Sequence, residues 1–240
     1  MTRLTSCPDA ESVAERAATH VRRAIEQARA ERDVAHVALS GGGTPQLTYR
    51  LLGEDPEGLR SAELWFADER CVAPEDPDSN YRLVSDALLG PAGIAAERVH
   101  RMRGELGPAA GAREYEGELR EHLGTGPGEL VTLDLVLLGI GPDGHVASLF
   151  PGSAALAEEH LLCLGVEDSP KPPPERITLS LPVLRAARGC LLLATGASKA
   201  DALAGMLGEP TASVPASLLR RERLTVITDD AAAPPPPNRG

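Results

Sequence analysis

Apolar residues first recur at helical spacing, where Val13, Ala17, Val21, Ile25 and Ala28 fall on one face. This predicts an amphipathic opening helix over Asp9 to Arg32. The pattern then changes to short apolar runs: VAHVALS, ELWFADE, a weaker VHRM, DLVLLGIG, HLLCLGV, RITLSL, CLLLATG and LTVITD. Leu135 to Leu138 are continuously apolar, as a strand covered on both faces would be. Helical stretches lie between several of these runs, among them TPQLTYRLL, DSNYRLVSDALL, AAGAREYEGELREHL and ASKADALAGMLG. Strands alternating with helices predict an α/β fold, a mostly parallel sheet with helices on both faces. Neither a repeat nor a long linker divides the chain, so one domain over residues 1–233 is expected. Residues 234–240 (PPPPNRG) read as a disordered Pro-rich tail, and GVEDSPKPPPER (Gly165 to Arg176) as an exposed loop able to serve as a lid.

Composition narrows the partners. Aromatics make up only 2% of the 240 residues, which argues against base-stacking platforms. The formal net charge of -11 disfavours nucleic acid or an anionic membrane. It leaves room for a small phosphorylated ligand, which needs only local positive charge and free N–H groups. No window is long and apolar enough for a membrane span or a secretory signal. Cys7, Cys71, Cys163 and Cys190 are scattered without metal-binding spacing, so reduced thiols and a cytoplasmic location are expected. Only two of the 24 basic residues are lysines, Lys171 and Lys199. The second stands in TGASKADAL, just after a predicted strand.

Four stretches carry candidate chemistry. In VALSGGGTPQLTYRLL a strand ends at Ser40, glycines 41 to 43 follow, and Thr44-Pro45 starts a helix. Free amides, the helix dipole and the Ser40 and Thr44 hydroxyls would make an anion cradle, or else a tight turn without a ligand. It lacks the Gly-Lys-Ser/Thr ending of a P-loop. In WFADERCVAPEDPDSNYRLV, Asp68, Glu69 and Arg70 close a strand, where carboxylates can hold hydroxyls and a guanidinium an anion. A solvated acid–base cluster explains them as well. Ser79 and Asn80 read as caps of the next helix.

The third stretch, DLVLLGIGPDGHVASLFPG, is the most informative. A buried strand runs into a glycine turn with Asp143, Gly144 and His145 at the edge where open α/β sheets bind ligands. An imidazole there can take a proton from water. Gly139-x-Gly141-x-x-Gly144 also matches the dinucleotide fingerprint, with Glu167 further on. Pro151-Gly152 cuts off the helix that such a site needs, so NAD binding is the weaker expectation. The fourth stretch brings Arg176 and Lys199, either of which can reach a phosphate or simply face solvent.

Together LSGGGTP, WFADERCVAPEDPDSNY, DLVLLGIGPDGHVASLFPG, PPPERITLSLPVLRAAR, ATGASKADAL, VPASLL and ITDDAAA closely resemble the 6-phosphogluconolactonases of the glucosamine-6-phosphate isomerase/deaminase-like superfamily. The related deaminases carry an aromatic in place of Arg70 and an Asn-Glu segment where this chain has Ser148-Leu149-Phe150. One departure is Gly43, where the lactonase loop usually has a second serine; a hydroxyl is lost but every backbone N–H is kept.

The resemblance implies a three-layer α/β/α, Rossmann-like fold. It also implies hydrolysis of 6-phospho-D-glucono-1,5-lactone to 6-phosphogluconate in the oxidative pentose phosphate pathway, without metal or organic cofactor. His145 would be the general base, Arg70 would meet the oxyanion or the phosphate, and Asp68 would hold a hydroxyl. Asp143 would orient the imidazole or bind substrate. Ser40, Gly41, Gly42, Gly43, Thr44, Gly144, Arg176 and Lys199 would share the remaining sugar and phosphate contacts. A monomer or weak homodimer is expected. The rivals are a glucosamine-6-phosphate isomerase/deaminase and a non-catalytic phosphosugar-binding protein.

Overall fold

The computed structural model describes residues 2–234, so most of the Pro-rich tail lies outside the described residues. Among the described residues, nine strands form two sheets. Six of them, β1 (Arg3–Cys7), β2 (His36–Leu39), β3 (Glu63–Phe66), β5 (Leu135–Gly139), β8 (Gly189–Ala194) and β9 (Leu224–Asp229), make one sheet in the order β1-β9-β8-β5-β2-β3. Every pairing in it is parallel, as the alternation predicts. The others, β4 (Asp68–Arg70), β6 (Cys163–Val166) and β7 (Arg176–Leu179), form a small antiparallel sheet.

Helices α1 (Ala10–Arg32), α2 (Gly43–Glu54), α3 (Asn80–Val84), α4 (Gly90–Ala92), α5 (Pro108–Leu123), α6 (Leu181–Ala186) and α7 (Ala200–Leu207) complete a three-layer α/β/α arrangement. The predicted apolar face of α1 is the buried one: Val13, Ala17, Val21, Ile25 and Ala28 are all at most 1% exposed. Asp9 caps the helix, accepting from Ser12 N at 2.8 Å. Each fully buried Val or Ile here stabilises the layer by roughly 1.5–3 kcal/mol.

Three expectations need correction. ELWFADE is not one strand. It breaks at Ala67, so that Asp68–Arg70 leaves the main sheet and pairs with β7, placing Arg70 directly opposite Arg176. VHRM contributes only a single bridge, Val99 to Leu64. β1 carries no apolar pattern because it is an edge strand, paired with β9 alone and largely exposed.

Chain order reverses between β2 and β5: β2 is followed by β3 on one side, while β5 and β8 lie on the other. Loops leaving β2 and β5 therefore diverge and open a crevice at the carboxyl edge, the switch point where such sheets bind ligands. Buried tyrosines fix the strand ends beside it. Tyr115 Oη accepts from Phe66 N at 2.7 Å and donates to Phe66 O at 3.1 Å. Tyr49 Oη accepts from Ser40 N at 3.1 Å and donates to Ser40 O at 2.6 Å. Replacing Tyr49→Phe strips both partners from a buried backbone, so a loss of roughly 1–3 kcal/mol is expected in denaturant unfolding. An unchanged midpoint would show that Tyr49 does not hold this strand end.

Candidate active site

A cleft of about 510 Å³ lies at this switch point. Ser40, Gly41, Gly42, Gly43, Thr44, Asp68, Arg70, His145, Arg176 and Lys199 all line it. Stretches separated by more than 100 residues thus converge, as the topology requires.

The turn after β5 holds the histidine. Gly144 N donates to Gly141 O and Gly141 N to His145 O, both at 2.9 Å, closing a compact loop. His145 folds back over Gly141, with its Nδ1 2.5 Å from Asp143 Oδ1. A Cβ on Gly141 would sit 1.9 Å from His145 Nδ1 and 2.4 Å from Asp143 Oδ1, so only glycine leaves room for this pair. The carboxylate can only accept, so Nδ1 carries the proton and Nε2 keeps its lone pair. No helix follows the turn before a short 3-10 segment at Ala154–Ala157, and this removes the dinucleotide-binding reading.

Asp143 and Gly144 do not line the cleft. Asp143 stands behind the imidazole. Gly144, at φ +81°, faces Val214 and accepts from Ala216 N, so it shapes the turn.

Lys171 joins the pair, its Nζ 3.2 Å from both Asp143 Oδ1 and His145 Nδ1. It donates to the carboxylate; toward the protonated Nδ1 it acts as a nearby charge. Burial pushes the pKa of His145 below its usual value and the Lys171 charge adds to this, against the pull of Asp143. Burial works to raise Asp143, but its hydrogen bonds and the charges of His145 and Lys171 hold it below the ordinary carboxylate range. The imidazole is therefore poised neutral.

Lys171 is held in place by the loop that reads in sequence as exposed and able to serve as a lid. Arg176 donates from Nε to Pro173 O at 2.7 Å, and from Nη2 to Lys171 O at 3.1 Å and Pro172 O at 3.0 Å. Ser169 Oγ closes the loop onto Lys171 O at 2.9 Å. Much of the Arg176 donor capacity is thus used on its own loop, although the side chain still lines the cleft.

Two guanidiniums opposite each other across a strand pair repel. Burial lowers the Arg176 pKa, and Arg70 lowers it further. Arg70 Nη1 donates to Asp78 O at 2.7 Å, while its buried Nε has no protein partner. An anion in the cleft would relieve the repulsion between the two guanidiniums. Lys199 adds a third positive charge, its pKa lowered by burial and by Lys171. Thr44 and Thr195 hydroxyls meet at 2.6 Å, tying the first glycine loop to the Lys199 loop.

Asp68 is only 6% exposed and its oxygens are engaged: Oδ2 accepts from Ser148 Oγ at 2.8 Å and Oδ1 from Asn80 Nδ2 at 3.2 Å. Asn80 does more than start a helix. Ser79 is the cap, while the Asn80 amide presses on Gly41 so closely that a Cβ there would lie 1.9 Å from its Oδ1. Glu69 faces inward and is structural. It accepts from Arg70 N, Asn80 N and Tyr81 N, each at 2.7 Å, and from Ser79 Oγ at 3.0 Å. Burial pushes its carboxyl up while these donors pull it down.

Sequence reasoning did not place Lys171, Asn80, Ser148 or Thr195 at the site. Lysine scarcity was the available signal for Lys171, since both lysines of the chain line the cleft. Cys71, by contrast, is no nucleophile: burial pushes its thiol up to about 12.

The 6-phosphogluconolactonase of Streptomyces coelicolor is 38% identical over 231 residues, covering 91% of this chain and 88% of that protein. The structure of 6-phosphogluconolactonase from Trypanosoma cruzi superposes with a TM-score of 0.87 at 29% identity, over 97% of this chain and 96% of that one. A monomeric glucosamine-6-phosphate deaminase gives a TM-score of 0.77 at 25% identity, over 96% of this chain and 98% of that chain. The family model described as glucosamine-6-phosphate isomerases/6-phosphogluconolactonase matches residues 8–228. By this match and these identities, the chain belongs to the glucosamine-6-phosphate isomerase/6-phosphogluconolactonase family.

Proposed function

We propose that this protein hydrolyses 6-phospho-D-glucono-1,5-lactone to 6-phosphogluconate, using water activated by His145. The observation that carries this reading is the Asp143–His145 pair beside a cleft lined by Arg70, Arg176, Lys171 and Lys199. A neutral imidazole with a free Nε2 suits proton abstraction from water. The attack forms a bond from water oxygen to C1 and places negative charge on the former carbonyl oxygen. Arg70, a guanidinium in the cleft wall, is suited to that charge. Collapse of the intermediate breaks the bond from C1 to the ring oxygen, which takes the proton back from the imidazolium. Asp143 fixes the tautomer and steadies the imidazolium.

Phosphate recognition falls to the amides of Gly42, Gly43 and Thr44 at the start of α2, with Lys199 across the Thr44–Thr195 contact. Arg176 shares this role through the donors that its loop leaves free. Ser40 and Gly41 shape the sugar side, together with Asn80. Asp68, already bonded to Ser148 and Asn80, orients these groups and offers its remaining lone pairs to a hydroxyl. This chemistry asks for no metal or organic cofactor. The deaminase reading is disfavoured by Arg70 and by Ser148, whose hydroxyl is committed to Asp68.

Three outcomes are expected, read as loss of freshly made lactone above its spontaneous hydrolysis. His145→Ala should fold and lower turnover by roughly 100- to 10,000-fold; full activity would remove His145 from its role. Lys199→Ala should mainly raise KM, as for a group that binds phosphate equally in ground and transition states. A fall confined to kcat would count against that assignment.

The third is a pH dependence. Burial and Lys171 both disfavour the imidazolium, so the base stays neutral below its ordinary value of ~6.5. The acid limb of kcat/KM should therefore lie below that pH. In Lys171→Met, Asp143 acts unopposed by the lysine charge, which raises the imidazole pKa and moves the limb toward alkaline pH. A shift in the opposite direction would contradict the electrostatic role of Lys171.

A further inference from the structure

A second histidine cluster lies away from the cleft, where α5 packs near β3. His100 is buried, its side chain 4% exposed, with Nδ1 2.6 Å from Glu118 Oε1 and Nε2 2.9 Å from Glu63 Oε2. His122, one turn beyond Glu118 on α5, has its Nδ1 3.1 Å from Glu118 O. A carbonyl can only accept, so that nitrogen carries the proton and Nε2 keeps the lone pair a metal requires. One ligand atom from each of His100, Glu118 and His122 lies within 4.8 Å of the others. Small adjustments would bring three such atoms to the ~2.0–2.2 Å bonds of zinc with nitrogen and oxygen ligands.

We propose that His100, Glu118 and His122 bind a divalent transition ion of the zinc class, the ion replacing the His100 Nδ1 proton beside Glu118, which leaves to solvent, with water completing the coordination. Two nitrogens and one carboxylate oxygen are the ligand chemistry such an ion prefers over magnesium or calcium, which take oxygen sets. The outer shell is already built. Glu63 accepts from His100 Nε2 and is itself held by Arg98 Nη1 at 2.8 Å, the carboxylate–histidine arrangement that orients a metal-bound imidazole. Trp65 stacks on the His100 ring at 3.9 Å between centroids and meets His122 edge-on at 5.7 Å, fixing both ring planes. Access comes from the exposed side, where His122 and His36 line a groove of about 330 Å³ that also contains Asp134. The ion would bridge α5 to the segment after the 3-10 turn Ala96–Arg98, joining two elements that flank β3.

The test uses the full chain, stripped with chelator and titrated with Zn²⁺ by calorimetry, and with Co²⁺ by visible absorption. One equivalent should bind, with the intense bands of a four-coordinate cobalt site. At a hundredfold excess over Kd, Zn²⁺ should raise Tm by roughly 5 °C or more. His122→Ala removes an exposed ligand, and Glu118→Gln keeps the side-chain shape while losing the anionic oxygen. Each should weaken binding by at least ~10-fold and abolish the Tm rise. Circular dichroism in chelator verifies that both variants fold. Failure of the wild-type protein to take up Zn²⁺ would overturn the proposal. So would undiminished binding in His122→Ala, or binding lost in His145→Ala instead, which would place the ion in the cleft.

Discussion

The active-site geometry depends on one short contact, the 2.5 Å approach of His145 Nδ1 to Asp143 Oδ1 over the bare Cα of Gly141. It dictates the residue at 141, the turn closed by Gly144, and the tautomer of the imidazole. The switch point between β2 and β5 then determines what stands opposite: the glycine loop at one wall, the Asp68–Arg70 strand at another. A parallel sheet alone would present loop ends. Here the small antiparallel sheet adds a rigid wall, because β4 leaves the main sheet within one residue of β3 and pairs with β7.

Charge is distributed against the average of the molecule. A chain of formal net charge -11 gathers Arg70, Arg176, Lys171 and Lys199 around one cleft. Cross-strand pairing of Arg70 with Arg176 is unfavourable in isolation, as is an unpaired buried Nε on Arg70. The first of these costs makes sense for a pocket that receives an anion, since its negative charge offsets the repulsion between the two guanidiniums. Holding the Lys171 loop with Arg176 serves the same end, because it prevents the lysine from moving away from Asp143.

Much of this was legible in the linear chain. The parallel α/β character followed from alternating periodicity, and every predicted contact residue except Asp143 and Gly144 reaches the cleft wall. Those two act from behind it, a distinction that depends on backbone direction within a turn and leaves no mark in residue type. Asn80 was read as a cap because Ser79-Asn80 has capping composition; its packing on Gly41 arises only when α3 meets the β2 loop. Lys171 was hidden in a Pro-rich stretch that reads as loose, since carbonyl contacts to Arg176 come from tertiary structure. β1 was missed for a different reason: a strand paired on one side and exposed on the other needs no apolar run.

Two histidines in the same chain show how environment divides chemistry from architecture. Burial pushes both imidazoles toward neutrality. For His145 the pull of Asp143, helped by the charge of Asp68, is outweighed by burial with the Lys171 charge beside it, so the ring is left neutral. For His100 two carboxylates, Glu118 and Glu63, bond to the two ring nitrogens with no lysine close by, and together they outweigh burial and hold its pKa up. A ring bonded at both nitrogens keeps no lone pair open to substrate, and His100 frees one only where an ion displaces the Nδ1 proton beside Glu118. The difference rests on how directly the carboxylates reach each ring: one bonds His145 and leaves its Nε2 free, whereas two bond His100 at both nitrogens.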